Sequence, residues 1–498
     1  MYRMREDQLK IEAFEHPFGG RLDPENRWVK LSRLVPWAEV EKLYAKRFPG
    51  SGRGRPAFSV RVALGALLIK ERQGYSDEEL VESIRENPYL QFFIGFTSYR
   101  DERPFDPSLL VSFRKRLHPL MPRINELIAL SHARRERNRD KDADRDDDRD
   151  DDDPPTGGKR ANQGKLLLDA TCVPADVAYP TDLKLVNAAR EKTEEIIDRL
   201  HAPLRGTSPK PRTYREKARK MFLAAVRSKG RNFSHIRKTS KKQLNFLGRN
   251  LRHIDELSRK TPLGLLPRRL YKDLLVVSEI YRQQRWMSRN GARRIDDRIV
   301  SISQPHVRPI VRGKTSAPVE FGAKVAVSLA NGLAFVDRIG WDNFPEAALL
   351  REQVERWRRR FGCYPASVHA DQIYRNRENR RFCKERGIRL SGRPLGRPPA
   401  DPAAARAMAG QVRQDERDRN PVEGKFGEGK RRYGLNRIMT RLPDTSACAI
   451  ALAFVVMNLE KLLRAFPDLL FALFWALFAG PPAPANAFPG RREAVATA

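Results

Sequence analysis

The chain has 498 residues, enough for two or three domains and a sizeable core. Lys and Arg number 96 against 62 Asp and Glu, a formal net charge of +34. That excess points to a polyanionic partner, nucleic acid ahead of a ribosome or an anionic membrane. Four scattered cysteines without a CxxC pair argue against a disulfide framework and a zinc ribbon, and suit the reducing cytoplasm.

The first twenty residues have no apolar h-region, so no secretory signal is visible. Residues 58–72 repeat apolar side chains at 60, 63, 64, 67 and 68, the period of a helix. After a short turn (73–75), Ser76 and Glu79 form a capping box that opens a second helix, SDEELVESIRE. Helix, turn with Gly, helix fits either a DNA-reading helix-turn-helix or an ordinary hairpin of the core. Asp77, Glu78, Glu79 and Glu82 favour the hairpin. A further helix is expected over 108–117. Residues 1–133 thus form a helical N-terminal domain.

Residues 134–164 are a mixed-charge tract without apolar residues, which reads as a disordered linker. Its Asp run lacks EF-hand spacing. A strand over 165–172 leads into a long helical region, about 182–300, inserted in the next domain. Between 205 and 270 it carries twenty Lys and Arg against three acids, interleaved with Tyr214, Phe222, Phe233, Phe246 and Leu247. This is the chain's best track for a phosphate backbone.

From about 320 the pattern alternates between α and β. KVAVSLA and AFVDRIG, joined by Asn331-Gly332, read as a β-hairpin. A helix over 345–362, a strand over 366–371, a helix over 376–387 and a strand over 388–392 follow. The Pro/Ala/Arg-rich stretch 393–415 reads as a loop, then a helix near 421–432 and an apolar one near 446–464. The catalytic domain is expected to span 165–465. Residues 466–479 are apolar but shorter than the ~18–20 residues a bilayer needs. With 447–457 they read as a buried or interface helix pair, not a membrane anchor, before a disordered tail from 481.

Two strands end in a carboxylate, Asp169 and Asp371, and strand ends line the ligand crevice of an α/β sheet. On neighbouring strands, two such charges ~4 Å apart repel by about 4 kcal/mol. In a chain aimed at phosphates, a hard divalent cation, Mg²⁺ or Mn²⁺, would neutralise them. Two such ions suit an in-line phosphoryl displacement.

A third acid is sought among Asp415, Glu416, Asp418, Glu423 and Glu428. Pro421 suits a first helical turn, which would make Asn420 the N-cap and Glu423 a capping-box residue. Lys430, two turns on, would share the helix face of Glu423; a metal carboxylate and a capping residue remain alternatives at this position. Arg312 and Lys314 in VRGK read as phosphate contacts. Asp176 and Asp182 read as turn and cap residues, with Thr181 as a possible cap for the next helix. His369 reads as a core histidine ahead of a support for Asp371. Cys172 shows no partner base.

Four blocks in order, LLLDATCVPADVAYPTD, PIVRGKTSAPVEFGAK, VHADQIYRNRENRRFCKERGIRLSG and RNPVEGKFGEGKRRYG, resemble bacterial insertion-sequence transposases of the DDE class, closest to the type-five family. The resemblance covers roughly 30–130 and 165–465. It implies an α/β RNase H-like core with a mixed five-stranded sheet, with Asp169 on its first strand, Asp371 after its fourth and Glu423 on the following helix as catalytic metal ligands. Arg419, Glu423 and Lys430 match the family's Tyr-x2-Arg-x3-Glu-x6-Lys signature, whose basic residues contact phosphate. Glu416 stands where the family has Tyr. The expected activity is Mg²⁺-dependent cleavage of element ends and joining of the 3′-OH to double-stranded target DNA. Holding two ends implies a homodimer. A nuclease without strand transfer, and an inactive DNA-binding remnant, are the other classes.

Overall fold

A computed structural model of the chain describes residues 10–16, 19–48, 56–131, 161–227, 233–311, 319–394, 396 and 399–478. The charged tract up to 160 and the tail from 481 lie outside the described residues, as do Arg312 and Lys314.

The N-terminal part contains α1 (Arg27–Leu34), α2 (Trp37–Ala45), α3 (Val60–Gln73), α4 (Asp77–Glu86), α5 (Pro88–Phe93) and α6 (Leu109–Leu117). Ser59 caps α3, Gly74 ends it at φ 75°, and Ser76 and Glu79 make the expected reciprocal capping box. Every residue of α3 from Val60 to Ile69 is buried, and Glu78, Glu79 and Glu82 of α4 face outward or lie half-exposed. This pair is placed as a hairpin of the core. Asp77 is held by Arg114 at 2.6 Å and Lys70 at 3.0 Å.

One sheet organises the rest. Its strands are β1 (Lys165–Pro174), β2 (Arg308–Val311), β3 (Val319–Ala330), β4 (Leu333–Gly340), β5 (Ser367–Ala370) and β6 (Arg389–Leu390). β3 lies antiparallel to β1 on one side; β4 and the short β2 share its other side. β5 and then β6 continue from β1 in parallel. Asn331 (φ 51°) and Gly332 (φ 74°) make the expected tight turn, left-handed at both positions. The sheet has six strands where five were expected. The hairpin was expected to begin at 324, but β3 starts at Val319, and its free first turn-length of edge accepts β2.

Between β1 and β2 lie four helices: α7 (Asp182–His201), α8 (Arg215–Arg227), α9 (Phe233–Ser258) and α10 (Arg268–Asn290). Thr181 caps α7 as expected. Leu185, Val186, Ala189, Leu244, Leu247, Val277 and Ile280 form an apolar cluster of their own there. Lys217, Arg219, Lys220, Arg237, Lys238, Lys241 and Lys242 are exposed. Part of the apolar interleaving is engaged within the protein: Leu247 is fully buried, and the exposed Tyr214 ring lies under Arg249 and Arg212, 4.3 and 4.8 Å from their guanidinium carbons.

After β4 come α11 (Leu350–Phe361) and, past β5, α12 (Arg377–Glu385). Then α13 runs unbroken from Pro402 to Arg432, so the expected loop over 393–415 is half helix. Asp401 caps it, accepting from the amides of Ala403 and Ala404. The last helix, α14 (Pro443–Phe478), replaces the expected pair. The charges that should have interrupted it are partnered: Glu460 with Arg72, and Lys461 with the Asn331 carbonyl at 2.8 Å.

The stretch Pro443–Ala465 is long and apolar enough to cross a membrane, but most of it is buried inside the protein. Ile450, Phe454 and Met457 join Leu64, Leu67 and Phe113 of the N-terminal helices, and Val325 and Val327 of β3, in one apolar cluster. Its hydrophobicity is that of a core helix. Asn458 of α14 bonds Asn125 and the backbone of Ala334 there.

Candidate active site

β1 and β5 pair in parallel with Leu168 opposite Ala370. Asp169 and Asp371, each the next residue, therefore stand side by side; Asp371 follows the end of β5, but Asp169 does not end its strand as expected, because β1 runs on to Pro174 in its pairing with β3. The alternation of a strand points Leu167 and Asp169 to one face. On that face Leu167 packs with Val422 and Phe426 of α13, and His369 faces Asp415 of the same helix. Asp371 is exposed and accepts from the Gln372 amide at 2.6 Å, capping a 3-10 turn, Gln372–Tyr374. Asp169 is half-buried, and its carboxyl is pushed up to about 6. Burial is the main cause; the charges of Glu346 and Asp371 add to it, while the Ala170 amide and Arg419 act against it.

α13 brings the third acid. Arg419 Nη2 donates to Glu423 Oε1 at 2.8 Å, and its Nη1 lies 3.9 Å from Asp371 Oδ1. One guanidinium thus bridges Asp371 and Glu423, and its charge also favours the ionised form of Asp169. The capping-box reading of Glu423 fails: Asn420 and Pro421 lie in the interior of α13, eighteen or more residues past its start. Pro421 removes the amide that would bond the Arg417 carbonyl, a local cost that the burial of Val422, Phe426 and Gly429 offsets. Lys430 follows on the same helix, half-buried. Glu416, at the signature's Tyr place, is exposed.

The other candidate acids are engaged elsewhere. Asp415 accepts from Arg389 and from the Gly392 amide, the latter at 2.9 Å. Asp418 pairs with Lys165 at 2.6 Å, and Glu428 with Lys425 at 3.0 Å. His369, Asp415 and Asp418 have ligand atoms within 4.8 Å of one another, a spacing a metal could use. Lys165 and Arg389 already neutralise its two carboxylates. His369 is fully buried with Nε2 at 2.9 Å from Ser367 Oγ, but its buried Nδ1 has no hydrogen-bond partner, so it is a core histidine satisfied on one nitrogen; burial lowers its pKa. Asp176 is held by Arg437, and Asp182 accepts from Gln284 and Arg298, so Asp182 is an anchor for α10 more than a cap. Cys172 is buried.

Sequence reading passed over three residues beside the acids. Glu346 starts the 3-10 turn Glu346–Leu349, and pairs with Lys324 of β3 at 2.8 Å. Tyr374 is fully buried, its hydroxyl without a hydrogen-bond partner, among the charges of Glu346, Asp169, Asp337 and Asp371. Only the pairing of β1 with both β3 and β5 brings these together. The donors are hard oxygens gathered around a cation, a set suited to a divalent metal.

Two family models match the chain: a Transposase DDE domain over residues 368–460, and a Transposase domain (DUF772) over 16–116. The chain belongs to the insertion-sequence DDE transposases. The DDE match holds Asp371, Arg419, Glu423 and the first half of the core helix α14, and the other match holds helices packed against α14. The transposase is also similar to "Uncharacterized protein ORF8 in nfe locus" of Rhizobium meliloti, 30% identical over 176 residues, which are 35% of this chain and 75% of that protein. No solved structure matches it.

Proposed function

We propose that this transposase cuts DNA at the ends of its element and joins the freed 3′-OH to target DNA, with Asp169, Asp371 and Glu423 as the catalytic metal ligands. The observation that carries the reading is the convergence of these three acids, from β1, the end of β5 and α13, on Arg419. The strand order β4–β3–β1–β5–β6, with β3 antiparallel, supports an RNase H-like core. The spacing of Arg419, Glu423 and Lys430 supports the type-five kind.

Mg²⁺, or Mn²⁺ in its place, when held by these acids, supplies charge stabilisation to both oxygens of an in-line phosphoryl displacement. The chain's own residues do the rest. Arg419 leaves its carboxylates for phosphate, and Lys430 binds phosphate beside it; Arg312 and Lys314 serve as further phosphate contacts. The exposed cations of α8 and α9 track the backbone of the bound end. In joining, the end's 3′-oxygen forms a bond to a target phosphorus as that phosphorus loses the target's own 3′-oxygen. Two copies of the transposase hold the two ends, in the bacterial cytoplasm.

A pre-cut element end, a supercoiled target and Mg²⁺ test this with purified protein. Joined product is expected from the wild type and none from Asp169→Ala, Asp371→Ala or Glu423→Gln, with DNA binding kept. Cleavage of an uncut end without joining would make the protein a nuclease instead. Full activity of Glu423→Gln would remove that residue from the site.

A further inference from the structure

The Lys324–Glu346 pair ties β3 to the 3-10 turn after β4, each side chain only 14% exposed. A buried ion pair is commonly a structural tie, and two features separate this one from that. The first is that Lys324 does not depend on the carboxylate. Its ammonium also donates to Asn343 Oδ1 at 3.0 Å and to the Phe344 carbonyl at 2.8 Å, and lies over the Phe344 ring. The second is where Glu346 acts. Its 3-10 turn is tied through Asn379 to the turn that Asp371 caps, which brings the carboxylate within electrostatic reach of Asp169.

Tyr374 supplies an independent sign of a missing ligand. The 3-10 turns bearing Glu346 and Tyr374 are tied together by Asn379, whose Nδ2 donates to the Ala347 and Tyr374 carbonyls at 2.8 and 2.9 Å. The phenol is thereby held among Glu346, Asp169 and Asp371, with its hydroxyl unpaired. A fully buried hydroxyl seldom goes without a partner unless something else occupies the site.

We propose that Glu346 is a further metal-holding carboxylate of this active site, paired with Lys324 only until a divalent cation takes the place of the ammonium. The inference rests on the reading of Asp169 as a metal ligand. Lys324 keeps Asn343 and the Phe344 carbonyl when Glu346 turns away, so the exchange leaves no buried cation bare.

Mn²⁺ binding to the purified full-length protein, read as loss of the free-ion paramagnetic resonance signal, tests it without any turnover. Wild type, Asp169→Asn, Glu346→Gln and Lys324→Met are compared, each checked for cooperative unfolding. Glu346→Gln is expected to weaken Mn²⁺ binding roughly 10–100-fold, the usual effect of losing a group that supports a metal site. Lys324→Met is expected to tighten binding, because the competing ammonium is gone. If Asp169→Asn weakens binding and Glu346→Gln does not, Glu346 is a structural partner of Lys324 and the inference is wrong, though the site stands. If Asp169→Asn leaves binding unchanged, the site reading itself falls and this inference with it. Should Glu346→Gln fail to fold, Lys324→Met decides: tighter binding supports the inference, and unchanged or weaker binding overturns it.

Discussion

Arg419 and Glu423 sit one turn apart on α13, with Nη2 2.8 Å from Oε1. The same guanidinium reaches Asp371 at 3.9 Å. A cation in this position holds Asp371 and Glu423 together and would compete with a metal bound by the acids. Arg419→Gln should therefore lose DNA-end cleavage by at least about tenfold, the equivalent of ~1.4 kcal/mol, while gaining sensitivity to Mg²⁺. In a thermal melt, added Mg²⁺ should stabilise the variant more than the wild type, because ligand binding to the folded state raises its stability. A variant that cleaved normally would show that Arg419 only bridges the acids.

Asp415 anchors the helix that delivers Glu423. It is 4% exposed and accepts from Arg389, the Gly392 amide and Gln411. These bonds hold its carboxyl below the usual carboxylate range against the opposing effect of burial, which is the largest single influence on it. Asp415→Ala should destabilise the protein by roughly 1–3 kcal/mol, since it strands the Gly392 amide. Cleavage should fall with it, and Asp415→Asn should restore part of both. Urea unfolding and an end-cleavage assay on the two variants check this. Equal cleavage by Asp415→Ala and wild type would free Glu423 from any dependence on this anchor.

Asn458 joins three parts of the chain at one point. Its Nδ2 donates to Asn125 at 2.9 Å and to the Ala334 carbonyl at 2.7 Å, and its Oδ1 accepts from the Ala334 amide at 2.8 Å. The residue is fully buried. Asn458→Leu would leave the Ala334 amide and the Asn125 Oδ1 unpaired in an apolar core, while Asn125 Nδ2 keeps the Ala334 carbonyl, at ~1–3 kcal/mol per stranded group. A lower urea midpoint is expected. A midpoint equal to the wild type's would mean that water or a shifted side chain satisfies both groups.

What the sequence made legible depended on how local each signal was. The hairpin at Asn331-Gly332 and the capping box at Ser76 were read correctly because each is a short-range device complete within a few residues. Asp169 and Asp371 stand out as acids after apolar runs, but Asp169 lies in the middle of β1, and the adjacency of the two needs the Leu168–Ala370 register, which no local pattern states. α13 was misjudged at both ends of the argument. Pro394, Pro398 and Pro399 made the stretch look like a loop, while Asp401-Pro402, a good N-cap and first-turn pair, was overlooked. Pro421 reads locally as a helix start, and packing by Val422 and Phe426, which keeps the helix going through it, is a tertiary effect. Glu346 carried no signal at all, since its neighbours come from β3, β1 and the turn after β5.

Glu71 on α3 links stability to pH. Burial pushes its carboxyl up to about 8, against the pull of Lys70 and Arg114. The folded protein therefore keeps a proton that the unfolded chain releases near the ordinary value of 4.5. Below that value both states are protonated and the contribution of this group is complete. As the pH rises from 4.5 towards 8 the unfolded state alone loses its proton, and stability falls; above 8 both are ionised and the loss levels off. Glu71→Gln, which carries no ionisable proton, should match the wild type near pH 4.5 and melt at a higher temperature at pH 8. Melting curves of the two proteins across that range, with DNA absent, give the comparison. A difference that stayed constant with pH would mean that Glu71 is already ionised in the folded core, with Arg114 as its counter-charge.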